Sequence, residues 1–305
     1  MPLHTAPLSR RSFLAQGAAA AAGLLVFRQA WSAEAQANPN LIALLSDTHI
    51  PDKPDVVARD TNMTANLRQV VREILANNEK PSAVMVNGDC AYLKGLPADY
   101  ANFAECVAPL SHARLPLHMT MGNHDDRGPF YEALKQQKPE RPLLNARHVT
   151  IVETPLANWF LLDSLIEVNV TPGEIGAEQR QWLSAALAMR AEKPAIVMAH
   201  HTPQFEPPPE GKAWGGLKDT AAFMELLAGH KHVKAFIFGH SHHWATLRRD
   251  NIHLINLPPV AYTFAAEKPN GWVLAEVHAK GLNLELRSIN PAHKQHGEKI
   301  ALEWM

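Results

Sequence analysis

The stretch Leu41-Ile42-Ala43-Leu44-Leu45-Ser46-Asp47-Thr48-His49 is an apolar run that stops abruptly at polar residues. A short, unbroken apolar run reads as a strand buried on both faces, the kind found in the parallel part of an α/β sheet. Residues 62–77 then read as an amphipathic helix, with Leu67, Val70, Val71, Ile74 and Leu75 on the apolar side, and residues 83–87 read as the next strand. Further strands are expected at 117–121, 149–152, 159–162, 195–199, 235–238, 252–255, 272–277 and 282–287, and further helices at 177–189 and 220–227. Strand and helix alternate through the first two-thirds, whereas the last part carries strands with little helix between them. Two mixed sheets packed face to face with helices outside satisfy both halves, so the expected fold is α/β, a four-layer α-β-β-α sandwich. The proline-rich stretch 203–209, running on to Gly216, reads as a long surface loop.

Composition narrows the function. With 46% hydrophobic residues, the chain has ample material for an ordinary buried core. Lys+Arg 29 against Asp+Glu 30 leaves a net charge of −1, which excludes the basic field that a nucleic-acid duplex requires. Two cysteines, Cys90 and Cys106, supply neither a disulfide scaffold nor a Cys-rich zinc site, and both read as buried thiols. The anomaly is 17 His against 4 Tyr, because imidazole is the commonest metal ligand.

Several of these histidines, with acidic and amide partners, stand just beyond the expected strands. Asp47 and His49 follow the first, Asp89 the second, and Asn123 and His124 the third; His200 and Gly239-His240-Ser241-His242 follow later ones. Ligands of open α/β sheets bind beyond the carboxyl ends of the strands, so these residues are directed at one crevice. Singly, each reads as a turn or a surface pair; in this order, each at a strand end, they read as a metal site.

The order Asp-Thr-His, Gly-Asp, Gly-Asn-His-Asp, His-His, Gly-His-Ser-His resembles the motif set of the calcineurin-like metallophosphoesterases, especially the branch with cyclic-nucleotide and glycerophospho-phosphodiesterases. The resemblance runs over residues 47–271 and includes Gly-Asp-Cys-Ala-Tyr at 88–92 and Gln-Trp-Leu at 181–183. It implies a dinuclear centre of divalent or trivalent ions (Fe, Mn or Zn), one held by Asp47, His49 and His242, the other by Asn123, His200 and His240, with Asp89 bridging. It implies His124 as an unligated catalytic residue beside the substrate. The activity it implies is hydrolysis of small-molecule phosphoesters, a phosphodiesterase with a metal-bridging hydroxide as nucleophile. The alternatives are a purple-acid-phosphatase-like phosphomonoesterase and a non-catalytic metal-binding protein of the cell envelope.

Elementary chemistry agrees with that set. Borderline metals accept mixed imidazole and oxygen ligands, and the absence of thiolate argues against a structural zinc finger. Two divalent ions, two carboxylates and a hydroxide leave a site charge of about +1, which suits a diester monoanion. A monoester dianion calls for a further cation, and Arg127 is the nearest candidate, although Gly128-Pro129 suggests a turn that carries it outward. His201 is an alternative to His200 as ligand. Tyr92 matches the iron-ligating tyrosine of purple acid phosphatases, but those proteins carry D-x-G where this chain has Asp47-Thr48-His49. His49 then takes that coordination place, and Tyr92 supports or packs. Cys90 should face away from Asp89 along an extended segment. Trp214, in the long loop, reads either as a stacking partner for a nucleobase or as a loop anchor.

The N-terminus carries a separate message. Residues 9–14 read Ser-Arg-Arg-Ser-Phe-Leu, an uncharged Ala-rich run spans 18–27, and Ala-Glu-Ala-Gln-Ala follows at 33–37. This resembles a twin-arginine signal peptide with cleavage after Ala35 or Ala37. Its apolar run is shorter than the ~20 residues of a membrane span, so no stable membrane insertion is expected. The expected division is 1–37 as signal peptide and cleavage region and 38–305 as the metallophosphoesterase domain. The precursor would use the twin-arginine export machinery, and the mature protein would be periplasmic or extracellular.

Overall fold

A computed structural model of the chain describes residues 37–304. The signal peptide expected at 1–37 therefore lies almost wholly outside the described residues. In chain order the elements are β1 (Asn38–Ser46), β2 (Val57–Ala58), β3 (Thr61–Asn62), α1 (Met63–Ala76), β4 (Pro81–Asn87), α2 (Pro97–His112), β5 (Leu117–Thr120) and α3 (Arg127–Ala133). They continue as β6 (Thr150–Glu153), β7 (Asn158–Leu161), α4 (Ala177–Ala188), β8 (Ala195–Met198), α5 (Thr220–Gly229), β9 (Val233–Phe238) and β10 (Ala245–Arg249). The chain ends on β11 (Ile252–Asn256), β12 (Gly271–His278), β13 (Gly281–Ser288) and β14 (Lys299–Glu303).

The main strands form two six-stranded sheets, ordered β14-β13-β12-β1-β4-β5 and β10-β11-β9-β8-β7-β6. Both are mixed: β1, β4 and β5 run parallel in the first, which continues by antiparallel pairing through β12, β13 and β14, and β7, β8, β9 and β11 run parallel in the second, with antiparallel β10 and β6 at its edges. This is the expected four-layer sandwich.

The burial pattern explains why the central strands read as unbroken apolar runs. Side chains alternate across a strand, and both faces here are covered. From β1, Ile42 and Leu44 enter the core between the sheets, against Trp159, Met198 and Ile237. Ala43 and Leu45 point the other way, into a core shared with Leu67, Val70 and Ile74 of α1 and Phe103 and Leu110 of α2. On the far side, Phe160, Val197 and Phe236 meet Leu183 and Leu187 of α4 and Phe223 and Leu227 of α5. Each fully buried Leu, Ile or Phe contributes about 1.5–3 kcal/mol of transfer free energy, so the packed sheets form a rigid base for the loops at their ends.

Polar contacts lock the two sheets together at one end. The Asn87 side chain at the end of β4 donates to the Ala199 carbonyl just beyond β8 (3.2 Å), and Thr120 at the end of β5 donates to Asn87 Oδ1 (2.8 Å). The carboxyl ends of β1, β4, β5, β8 and β9 thereby face one crevice. Among the described residues no helix is long and apolar enough to cross a membrane.

Candidate metal centre

The residues beyond these strand ends adopt unusual backbone geometry. Asp47, His49, Asp89, His240 and His242 all have positive φ, between 45° and 68°. Left-handed non-glycine residues cost roughly 1–3 kcal/mol each and persist where the surrounding structure requires them. Here they sit just beyond the strand ends, and their side chains enter one crevice. Two motif glycines make the approach possible. A Cβ on Gly122 would stand 2.1 Å from Asp89 Oδ1, and one on Gly239 would stand 2.0 Å from Ser46 Oγ and 2.5 Å from Asp47 Oδ2.

The turns gather three clusters whose donor atoms lie within 4.8 Å of one another: Asp47, His49 and His242; Asp89, His200 and His240; and His49, Asp89 and His124. Asp47 Oδ1 is 3.4 Å from His242 Nε2, and Asp89 Oδ2 lies 3.3 Å from His200 Nε2 and 3.7 Å from His49 Nε2. Asp89 Oδ2 therefore stands between His49 of the first cluster and His200 of the second. Asn123 is 3% exposed and lines the same cavity. His201 joins none of the clusters; its Nδ1 pairs with Ser164 Oγ at 2.7 Å.

The imidazoles are held in fixed tautomers. His49, His200 and His242 direct Nδ1–H at the carbonyls of Tyr92 (3.2 Å), Asn87 (2.8 Å) and Tyr262 (2.6 Å), which turns each Nε2 toward the crevice, as a lone pair wherever the ring is neutral. His240 is reversed: its Nε2–H donates to the Gly215 carbonyl at 2.6 Å, so Nδ1 faces inward. Carbonyl partners of this kind orient metal-binding histidines. One consequence is that the Nε2 atoms of His49 and His242 stand 2.9 Å apart with both protons committed elsewhere. Two lone pairs repel at that distance unless a cation lies between or beside them. Asn123 Oδ1 is buried with no hydrogen-bond partner, a costly state for a polar atom that metal coordination relieves, and His200 Nε2 has the Asp89 carboxylate 3.3 Å away.

Electrostatics point the same way. Burial favours the neutral acid at Asp47, yet His200 and His242 hold its carboxyl well below the usual range. Asp89 behaves likewise: burial opposes ionisation, and His200 and His49 overcome it. Burial disfavours the His200 imidazolium, but attraction to Asp89 and Asp47 lifts it to about 10. Burial pushes His49 and His240 down to about 4. The centre therefore carries two fixed carboxylates and a strong demand for positive charge, while two of its imidazoles stay neutral and ready to ligate.

Surrounding groups hold the centre in place. Asp125 is wholly buried and accepts from Cys90 N (3.1 Å), Ala91 N (3.2 Å), Gly122 N (2.9 Å) and Tyr100 Oη (3.0 Å), tying the loop after β4 to the loop after β5. Burial, and then Asp89, raise its carboxyl to about 6. Asp125 lies inside the Gly-Asn-His-Asp string, but nothing in its spacing signals this bracing role. Cys90 packs in the outer core away from the crevice. Tyr92 contributes its carbonyl to His49, a supporting role.

The cavity above the clusters measures about 540 Å³ and is lined by His49, Asp89, Asn123, His124, His240 and His242 together with loop residues. His124 is one-fifth exposed; its Nδ1–H donates to the Leu93 carbonyl (2.8 Å), which turns Nε2 to within 4.0 Å of Asp89 Oδ2. Arg127 does not reach the site. Its Nε and Nη2 grip Asp163 at 2.7 and 2.8 Å, and Nη2 also donates to the Leu165 carbonyl. Trp214 is half-buried and absent from the cavity lining, so the stacking role weighed for it has no geometric support. Tyr262 and Phe264, which no sequence motif marks, line the cavity instead.

Two packed mixed sheets with a His- and Asp-lined crevice beyond their parallel strands define a metal-dependent hydrolase of phosphoesters. The calcineurin-like phosphoesterase family model matches residues 41–244, and the chain belongs to that family, as a dinuclear metallophosphoesterase. It is 27% identical over 253 residues to the 3',5'-cyclic adenosine monophosphate phosphodiesterase CpdA of Escherichia coli, covering 79% of this chain and 86% of that protein. It is also 27% identical over 256 residues to a cAMP/cGMP dual specificity phosphodiesterase of Mycobacterium tuberculosis, covering 81% of this chain and 76% of the relative. A dimetal phosphatase from Danio rerio shares the fold, with a TM-score of 0.66, 16% identity, and coverage of 87% of this chain and 99% of that one.

Proposed function

We propose that this chain is a phosphodiesterase whose two metals are held by Asp47, His49 and His242 on one side and by Asn123, His200 and His240 on the other, with Asp89 shared. The observation that carries the ligand set is the pair of inward-facing His49 and His242 Nε2 atoms at 2.9 Å, with the unpartnered Asn123 Oδ1 lining the same cavity. When bound, the two ions would polarise the phosphoryl oxygens and lower the pKa of a water to about 7. Asp47 and Asp89 stay ionised and set the charge of the site. His124 turns Nε2 toward the leaving oxygen, with Leu93 fixing the ring through Nδ1, and would act there as the proton donor in its doubly protonated form.

Two observations favour a diester over a monoester. Arg127, the one nearby cation read from the sequence, is bound to Asp163 and gives no help to a dianion. The relatives above are named as cyclic-nucleotide phosphodiesterases, whose substrates are diesters. Metal-reconstituted protein assayed on matched diesters and monoesters tests the reading: kcat/KM should favour the diester, and a monoester advantage above about tenfold, 1.4 kcal/mol of transition-state discrimination, would reverse it.

Residues 1–37 support a second part of the proposal, export of the folded protein by the twin-arginine route to the periplasm or beyond. Replacing Arg10 and Arg11 together with Lys should block export, and unchanged export of that variant refutes the route.

A further inference from the structure

One wall of the cavity differs in kind from the rest. The lining is otherwise imidazole, carboxylate and amide together with loop residues around Gly215 and Gly216, whereas Tyr262 and Phe264 present two aromatic rings. Phe264 stacks on His242 with centroids 4.4 Å and planes 17° apart, and Tyr262 stacks on His49 at 5.4 Å and 20°. The rings thus lie face to face with the two imidazoles and line the cavity beside them. Phe264 is nevertheless 58% exposed. An open aromatic face beside a polar cavity marks a place where something apolar and flat can be received.

Above the two rings lies a cation. The Arg59 guanidinium carbon is 5.0 Å from the Phe264 centroid and 5.6 Å from that of Tyr262. Arg59 and Asp60 form the two-residue connection between β2 and β3, both in the left-handed region at φ 49° and 59°. Such turns favour Asn-Gly, and an arginine there is strained. Among the described residues the Arg59 side chain makes no hydrogen bond or ion pair, so its place over the rings is its one specific interaction. The ledge beneath is rigid. Val260 N and Ala261 N donate to the Ser46 and Asp47 carbonyls at 2.9 and 3.0 Å, and the Asn66 side chain donates to the Val260 and Ala261 carbonyls.

We propose that Tyr262, Phe264 and Arg59 form a subsite for one ester arm of the substrate, selecting phosphodiesters whose arm is a flat aromatic or heteroaromatic group over alkyl arms of equal size. This rests on the phosphodiesterase reading and specifies its substrate class. The arm lies against the rings, and the guanidinium, on a flexible stem at the tip of a two-stranded ribbon, moves onto its outer face. Stacking on an aromatic face and under a guanidinium changes binding by roughly five- to a hundredfold. A cavity of about 540 Å³ is large enough for a phosphoryl group and such an arm together.

The test uses metal-loaded protein and two diesters that share 4-nitrophenol as leaving group, one with a phenyl and one with a cyclohexyl second arm. The readout is the phenyl-to-cyclohexyl ratio of kcat/KM in the wild type, Phe264→Leu and Arg59→Gln. Comparing ratios cancels both the intrinsic reactivity of the two esters and any change in metal content, since both substrates meet the same centre. The ratio should fall by about tenfold in Phe264→Leu and severalfold in Arg59→Gln. Ratios equal to wild type in both variants overturn the subsite while leaving the phosphodiesterase standing. Failure of every protein to cleave either diester overturns both.

Discussion

Replacing His124 with Ala isolates one chemical role, because the backbone at that position does separate work. The His124 amide donates to Asp89 Oδ1 at 2.9 Å, a contact that the substitution keeps, so the bridging carboxylate remains oriented. The lost side-chain hydrogen bond, to the Leu93 carbonyl, belongs to a ring that is one-fifth exposed, and its removal costs about 1 kcal/mol of stability. Fold and metal content should therefore survive. Activity should not: general acid catalysis contributes about 10²–10⁴-fold. The size of the loss depends on the leaving group, since an alkoxide needs the proton and 4-nitrophenolate departs without it. With a dialkyl diester the variant should lose about 10³-fold in kcat, and with a 4-nitrophenyl diester about tenfold. Paired steady-state assays with elemental analysis of the same preparations provide the measurement. Equal losses with both leaving groups would show that His124 is not the acid, and loss of metal would show that the imidazole is a ligand.

Other consequences follow from the same geometry. Asp89→Ala should abolish binding of both metals, because its one carboxylate stands between His49 and His200, members of the two ligand sets; recovery of two equivalents per chain refutes the bridge. Gly239→Ala drives a methyl into Ser46 and Asp47 and should cost about 1–3 kcal/mol, seen as a lower Tm together with weaker metal retention; an unchanged Tm contradicts the tight approach. In the metal-free protein His200 is lifted to about 10, so at neutral pH it is protonated and a metal must displace that proton. Metal affinity should therefore rise with pH up to about 10. Calorimetry at pH 7 in buffers of different ionisation enthalpy should detect proton release, and none released would mean that His200 is not a ligand.

The central strands were legible because both of their faces are buried, which leaves runs such as 41–45 and 235–238 apolar without a break. The chemistry was legible because each polar cluster directly follows such a run. Other parts carried no comparable signal. Helix α2 opens with Pro97 and contains Pro109, so its punctuation reads as loop, and tertiary packing of Tyr100, Phe103 and Leu110 overrides it. Strands β10 and β14 lie at sheet edges and read as mixed polar sequence, Ala-Thr-Leu-Arg-Arg and Lys-Ile-Ala-Leu-Glu. The aromatic ledge was missed for a different reason. Tyr262 and Phe264 follow no strand-end motif, and only the run of 257–263 alongside β1 brings them to the site. Trp214 drew attention as a large aromatic in a long loop, but loop conformation is set by contacts such as those from Gln204 Oε1 to the amides of Gly215 and Gly216, which spacing does not encode.

The claim that this fold builds a dinuclear phosphodiesterase is tested most directly by titrating metal-stripped protein with Zn²⁺ or Mn²⁺ while following hydrolysis of methyl 4-nitrophenyl phosphate. Activity should be absent with chelator and should reach its plateau only at two equivalents per chain. Full activity at one equivalent, or hydrolysis that persists in chelator, would contradict it.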